Sequence, residues 1–246
     1  MHLDEDYNRS IPWIRKQIFE YEPVEKTHTP RAVVIVCDAT FYGKKKDKLG
    51  TLIFKDILLG EVLIWKHVQS ELAKDYKQLL QRILDLGYEV KAIIIDGKRG
   101  LYKALRDYPV QMCHFHQKKV IQRYMTMHPR LEAGKDLQKI MYNLTSTTQT
   151  IFTNKLNDWH EKHKYFLAER TINPDTLKES FTHQKLVSAY RSLKTNLPYL
   201  FTYKKHKKIK INNTTNAIDG GVFSPMTRCP LRVKSYSKYT MDLVKV

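Results

Sequence analysis

Runs of apolar residues separated by turn signals predict a β-sheet in the first half of the chain. The runs cover residues 31–38, 52–58, 62–68, 90–96 and 110–113. The runs 31–38 and 90–96 are continuous and β-branched, which is typical of strands that are covered on both faces. Gly60-Glu61, between the second and third runs, predicts an antiparallel hairpin. Apolar residues at three-and-four spacing predict a helix over 70–86, with Ser70 as its N-cap, and a short helix over 98–106.

Beyond Phe115 the pattern changes, and the second half of the chain is predicted to be mostly helical. The predicted helices cover residues 117–127, 134–144, 153–169 and 175–193. In the third helix, a single buried stripe is predicted at Leu156, Trp159, His163, Phe166 and Leu167. The order of three strands, helix, strand, helix, strand and then helices is that of the RNase H-like fold, in which the first and fourth strands lie side by side. Mixed α/β sheets are common, so this order suggests the fold without fixing it.

Composition excludes several classes of protein. The chain has 246 residues, of which 42% are hydrophobic, and a net charge of +18 at neutral pH. No stretch approaches the roughly 18 uncharged apolar residues that a membrane span requires, so we expect no membrane partner. Acidic residues follow Met1, where a secretory signal needs positive charge. Three cysteines make no disulfide framework, and we therefore expect a cytoplasmic protein with reduced thiols.

The positive charge is concentrated near the end of the sequence. Residues 185–246 contain thirteen Lys and Arg residues but only two acids. Within them, residues 201–212 interleave aromatic and apolar side chains with Lys204, Lys205, Lys207, Lys208 and Lys210. This composition fits contacts with phosphates and stacked bases, so we expect a nucleic acid as the partner. The alternative is that the lysines only form a solvated surface.

Two aspartates occupy matching positions in the predicted sheet. Asp38 and Asp96 each end a buried apolar run, and each precedes a turn. The carboxyl ends of strands are where α/β sheets present functional groups. If the two strands are neighbours, about 4.8 Å apart, both carboxylates can share divalent cations, which prefer oxygen ligands. The alternative for each aspartate is a cap on the turn or helix that follows it.

Four short motifs follow one another along the chain. They are Cys37–Gly43, Ile95–Leu101, Pro109–Gln117 and Asn213–Gly221. In this order they resemble the catalytic domain of bacterial insertion-sequence DDE transposases related to the Mutator (MULE) superfamily, over about residues 31–226. The resemblance implies an α/β fold with an RNase H-like mixed sheet over 31–116, a long all-α insertion over 117–195 before the last catalytic acid, and a basic C-terminal part over 196–246.

The resemblance also implies a chemistry. Its three metal-binding acids map onto Asp38, Asp96 and Asp219, which would hold two Mg²⁺ or Mn²⁺ ions. Such an enzyme cleaves the ends of a transposon and joins the 3′-hydroxyl to target DNA. The implied partners are double-stranded DNA, as terminal inverted repeats and target, and further copies of the chain on that DNA. The implied location is the nucleoid of the bacterial cytoplasm, and Lys98 and Arg99 are placed to contact a phosphate.

Two departures from the family pattern bear on activity. Asp219 stands where the family usually has Glu, so the carboxylate is one methylene, about 1.5 Å, shorter. The enzyme could be competent, weakened or inactive, because misplacing a catalytic group by about 1 Å can cost a hundredfold. Residues 1–30 contain only a remnant of a helix-turn-helix DNA-binding region, in Tyr7–Ile18. A truncated copy of a mobile element and a start site chosen too late both explain this.

The remaining element, Cys113-x-x-His116, has two interpretations. Its spacing matches half of a zinc finger, with His114 as a third possible ligand. In the other interpretation, Cys113 packs in the core and His116 caps a helix or contacts DNA. We assign no metal to the pair. For the whole chain, the alternatives to a transposase are an RNase H-like nuclease or resolvase, and a non-catalytic DNA-binding remnant.

Overall fold

The structure of the protein is a computed structural model, which describes residues 10, 13, 26–42, 49–98 and 100–218. The described residues form a mixed α/β fold with one five-stranded mixed sheet and several helices. The predicted helix-turn-helix remnant lies almost entirely outside the described residues, as do Arg99 and Asp219. Among the described helices, none combines the length and apolar character that crossing a membrane requires.

The strands of the large sheet lie in the order β3-β2-β1-β4-β5. Their bounds are β1 Ala32–Tyr42, β2 Leu49–Asp56, β3 Glu61–Val68, β4 Glu89–Ile95 and β5 Val110–Met112. The pairs β1/β2 and β2/β3 are antiparallel, whereas β4 and β5 are parallel. The predicted hairpin between the second and third strands is therefore confirmed. Gly60 at its turn has a φ of 69°, in the left-handed region that favours glycine.

Helices account for most of the remaining described chain. Their bounds are α1 Ala73–Asp85, α2 Leu101–Ala104, α3 His114–Met125, α4 Glu132–Tyr142, α5 Gln149–Ala168, α6 Gln184–Leu200, α7 Thr202–Lys205 and α8 Asn216–Ile218. The predicted stripe of α5 is confirmed at four positions, which are buried, while Phe166 is half-buried. The predicted N-cap Ser70 is wrong, because α1 begins three residues later and its N-cap position is Leu72.

The described residues fall into two compact units. The first contains residues 10, 13, 26–42, 49–90 and 216–218, and the second contains 91–98 and 100–215. Each unit has its own source of stability. In the first, α1 buries Tyr76, Leu79, Leu80 and Ile83, and the Tyr76 ring contacts Phe54 of β2, with centroids 5.9 Å apart. Burial of such large side chains is the main stabilising term.

The second unit has a helical core. Its largest members come from α5, from α6 and from the turn after α6, and they include Phe152, Leu156, Trp159, Leu193 and Phe201. The Trp159 indole donates a hydrogen bond to the Ala133 carbonyl at 2.8 Å, which satisfies its buried N–H. This core fixes the N-terminal half of α3, because Gln117 of α3 accepts a bond from Asn196 of α6 at 2.7 Å.

One predicted helix is partly wrong. Residues 175–193 contain not only the start of α6 but also β7 Glu179–Phe181, which pairs with β6 Arg170–Ile172 as an antiparallel hairpin. The turn is built by Asn173, whose Oδ1 accepts the N–H groups of Asp175 and Thr176 at 2.9 and 3.1 Å. A side-chain acceptor of this kind competes with helix formation and favours a turn.

Candidate functional site

Asp38 lies inside β1, not at its end. The prediction that this residue ends the first strand is wrong, because β1 continues through Tyr42 by pairing with β2. Asp38 is opposite Ile53 in that pairing, and its side chain is buried, at 8% exposure for the residue. Its Oδ1 accepts the backbone N–H of Ala39 at 2.8 Å. A buried carboxylate needs such donors, and it is also suited to hold a cation.

The sheet face that carries Asp38 holds polar side chains as well as the apolar Val36 and Ile53. Residues opposite each other in antiparallel strands point to the same face, and the faces alternate along each strand. By this register the face includes Thr51 and Lys55 of β2 and His67 of β3. Thr51 Oγ1 and His67 Nδ1 lie 3.0 Å apart, and burial lowers the pKa of His67 from its ordinary value. Three polar side chains therefore accompany the aspartate.

The chain returns to this strand directly before Asp219. Helix α8 contacts β1, and Ile218 at its end is fully buried. Lys55 Nζ donates a hydrogen bond to the backbone carbonyl of Ala217 at 2.9 Å. Asp219 itself is outside the described residues, so its predicted role as a ligand stays a prediction. The contact nevertheless brings residue 218 to the strand that carries Asp38.

Asp96 directly follows β4, as predicted, and is half-buried. Its Oδ1 accepts the backbone N–H of Lys98 at 3.0 Å, which fixes the orientation of the carboxylate by an Asx turn. Gly97 between them has a φ of 97°, and a Cβ there would lie 2.3 Å from Met112 Cε. Glycine is therefore required at this turn, because any other residue would be strained and would meet Met112.

The Cys113-x-x-His116 element is hydrogen-bonded to residues 213–215, which belong to the fourth motif of the sequence. Cys113 is fully buried after β5, and its Sγ accepts the N–H and the hydroxyl of Thr215 at 3.3 and 3.5 Å. Thr215 Oγ1 also lies 3.4 Å from His116 Nδ1. The backbone N–H of His114 donates to the Asn213 carbonyl at 2.8 Å. These bonds attach residues 213–215 to the first turn of α3.

The hydrogen bonds change the chemistry of the thiol. Burial alone would raise the pKa of Cys113, but hydrogen bonds from His116 and Thr215 outweigh burial and hold that pKa below its ordinary value. His114 is not part of this cluster, because its Nε2 donates to the Leu200 carbonyl at 2.6 Å. Burial lowers the pKa of His114 to about 4, and Lys118 and Lys204 add to this effect.

No zinc-like cluster accompanies the pair. Within the part of the chain that the structure describes, no three or more His, Cys, Asp or Glu side chains are grouped as a metal site. The packing interpretation of Cys113 therefore agrees with its environment, in which the thiol is a buried acceptor for Thr215.

The predicted basic residues differ in their availability to a partner. Lys204 Nζ donates to the Thr147 carbonyl at 2.5 Å and is half-buried, so this lysine also fixes α7. Lys98 is half-buried, and Arg99 lies outside the described residues. The remaining four lysines are exposed to solvent: Lys205, Lys207, Lys208 and Lys210. They form the surface best suited to phosphate contacts.

Sequence reasoning missed several residues of potential function. A basic and aromatic stripe on α3 is formed by Phe115, Lys119 and Arg123, all exposed, with Lys119 Nζ 4.2 Å from the centroid of the Phe115 ring. Their spacing of four residues was a visible signal. Lys55 and Thr215 gave no such signal, because their partners are 162 and 102 residues away in the chain.

No protein-family model matches the chain, and no curated protein matches it. The features that bear on its function are the aspartates, the segment 213–218 and the exposed lysines.

Proposed function

We propose that this chain is the catalytic part of a DDE-type DNA transposase with an RNase H-like core. Asp38, Asp96 and Asp219 are its metal-binding acids in this proposal. The observation that carries it is the return of the chain to β1: α8 contacts the strand that holds Asp38, 178 residues along the sequence from Asp38, directly before Asp219. A third acid that acts with Asp38 requires such a return.

The strand order and the second acid support the proposal. The order β3-β2-β1-β4-β5, with β1 beside β4, is the one expected of an RNase H-like sheet. Asp96 follows β4 at the turn with Gly97, as the family motif requires. A mostly helical region from α3 to α6 separates these acids from the third one, but it contains the β6/β7 hairpin, so the expected all-α insertion is wrong at that hairpin.

The donor chemistry fits divalent cations. Aspartate oxygens are the ligands that Mg²⁺ and Mn²⁺ prefer, and Asp38 and Asp96 each have one oxygen oriented by a backbone N–H. When bound, two such ions activate the attacking water or 3′-hydroxyl and stabilise the leaving oxygen at phosphorus. The aspartates would hold the ions, and the backbone donors would keep the carboxylates oriented.

The lysines supply the binding of DNA. Four lysines are exposed: Lys205 ends α7, and Lys207, Lys208 and Lys210 lie between α7 and the anchored segment 213–218. Contacts of these ammonium groups with phosphates position a duplex without reading its sequence. Recognition of particular terminal repeats would then require other residues or further copies of the chain.

The experiment is cleavage of labelled duplexes drawn from the DNA that flanks the gene, with Mg²⁺ or Mn²⁺. Asp38→Asn and Asp96→Asn should abolish cleavage, since a neutral amide cannot offset the charge of two divalent ions. Asp107→Asn is the matched control, because Asp107 is exposed and its ion pair with Arg106 is long, at 3.8 Å. Cleavage without strand transfer would favour a nuclease, and binding without cleavage would favour a non-catalytic remnant.

Asp219 is tested in the same assay. Asp219→Glu should raise cleavage, because the longer side chain restores the acid that the family usually has. Asp219→Asn should abolish whatever activity the chain has. Equal activity of all three versions would show that residue 219 is not a ligand, and the mapping of that motif would then be wrong.

A further inference from the structure

Lys55 is a lysine in an unusual place. It lies on β2 opposite Val36 of β1, and the register puts its side chain on the same sheet face as Asp38. The residue is only 9% exposed. Lysine is rarely buried to this extent unless it is paired, so a partner for the Lys55 ammonium is expected.

Within the described part of the chain, the partner of Lys55 is a backbone carbonyl. Among the described residues, Lys55 makes no ion pair, and its ammonium donates to the oxygen of Ala217 at 2.9 Å. Burying a charge costs free energy that a single neutral acceptor offsets only in part. An apolar residue on this strand would pack at lower cost. The lysine therefore serves the position of α8 more than the stability of the sheet.

Contacts with the sheet hold the described part of helix α8 in position. This part is Asn216–Ile218. Burial of Ile218 and the bond from Lys55 hold it against β1 and β2. The residue after Ile218 is Asp219, the third acid of the proposed site.

We propose that Lys55 is a positioning residue: its ammonium holds the Ala217 carbonyl and thereby fixes the backbone that leads into Asp219. This inference rests on the proposed function for its catalytic consequence. The contact itself does not depend on that function, so the two can be tested separately in the full-length chain.

The contact is tested by amide hydrogen exchange at residues 216–218. Lys55→Met should accelerate exchange there by about tenfold or more, which is the loss expected for a hydrogen bond from a charged donor. Lys55→Arg keeps a cationic donor and should exchange at close to the original rate. Lys66→Met is the matched control, because Lys66 lies on the opposite face and is paired with Asp75 at 2.8 Å.

The catalytic consequence is tested by the Mg²⁺ dependence of duplex cleavage. Lys55→Met should need several-fold more Mg²⁺ for half-maximal cleavage, Lys55→Arg should restore the original dependence, and Lys66→Met should not change it. Unchanged exchange at residues 216–218 in Lys55→Met, or equal acceleration in Lys66→Met, would overturn the anchor. Unchanged Mg²⁺ dependence in Lys55→Met would overturn its positioning role. Absence of cleavage by every version, the original chain included, would overturn the proposed function and the catalytic consequence, while the exchange data still decide the contact.

Discussion

Thr215→Val should weaken the attachment of the segment that leads to Asp219, the third acid of the proposed site. Thr215 is fully buried, and its hydroxyl lies 3.5 Å from Cys113 Sγ and 3.4 Å from His116 Nδ1. Valine has nearly the same shape and keeps the N–H that donates to the same sulfur. The substitution therefore removes only the hydroxyl contacts and creates no cavity.

The expected loss of stability is modest. Both hydroxyl contacts are long, and sulfur is a weak acceptor, so the cost should be about 1 kcal/mol. For a chain of this size that corresponds to a melting temperature lower by about 2–4 °C. Thr202→Val is the matched control in the same unit, because the buried Thr202 hydroxyl donates to the Val110 carbonyl at 2.6 Å. Its loss should cost about 1–2 kcal/mol.

Thermal denaturation and Mg²⁺-dependent cleavage of a flanking-DNA duplex separate stability from positioning. Both variants should melt earlier, but only Thr215→Val should reduce cleavage at a temperature at which all versions are folded. If Thr215→Val melts and cleaves like the original chain while Thr202→Val is destabilised, the hydroxyl contributes nothing to the attachment, and the reasoning fails.

Three further predictions concern pH, a buried ion pair and salt. Burial lowers the pKa of His114 to about 4, so the unfolded chain takes up this proton at a higher pH than the folded chain does. The free energy of unfolding should therefore fall as the pH drops from about 6.5 to about 4. In urea denaturation, His114→Gln should lose about 3 kcal/mol less of this free energy than the original chain over the same range. Arg31→Met removes the guanidinium 3.0 Å from the fully buried carboxylate of Asp56 and should cost about 3–5 kcal/mol in the same assay, and less when Asp56→Asn is added. Replacing the exposed Lys205, Lys207, Lys208 and Lys210 by Gln should make the plot of log DNA-binding constant against log salt concentration less steep by about 3–4. The control Lys162→Gln, at a lysine that is ion-paired, should leave this slope unchanged.

The elements predicted best from sequence are those whose pattern is local. The β-branched runs of β1 and β4 and the stripe of α5 each follow from a simple period, so their existence was readable. The first and last residues of these elements were predicted less well from the sequence. The continuation of β1 past Asp38 depends on pairing with β2, which begins at Leu49, three residues earlier than the apolar run suggested. Pairing of strands is a tertiary effect that a single run does not contain.

The hairpin of β6 and β7 was missed for a related reason. Each strand has three residues, which is too short for an alternating pattern to be distinguished from a helix. The turn signal was present, since Asn173-Pro174-Asp175 favours a turn by side-chain hydrogen bonding and by the fixed φ of proline. The residues that follow this turn do form α6, and the prediction extended their helical spacing too far back toward the turn.

In the candidate site, too, only the residues with a local sequence signal were predictable. Asp38 and Asp96 stood out because each follows an apolar run. The bonds from Cys113 to Thr215 and from Lys55 to Ala217 join residues more than one hundred positions apart. They become visible only when the chain is folded, and they concern the segment just before Asp219.

This attachment bears on the proposed role of Asp219, whose side chain is one methylene shorter than the Glu of the transposase pattern. If the segment 213–218 were loose, a backbone shift of about 1.5 Å would compensate for the missing methylene at little cost. The segment is instead held at Asn213, Thr215 and Ala217 by bonds from elements far away in the sequence. A backbone shift of that size at residues 213–217 has to lengthen or break at least one of these bonds, each worth about 1 kcal/mol. The shorter side chain should therefore reduce metal binding, and loosening the anchor by Lys55→Met should not rescue it, whereas Asp219→Glu should.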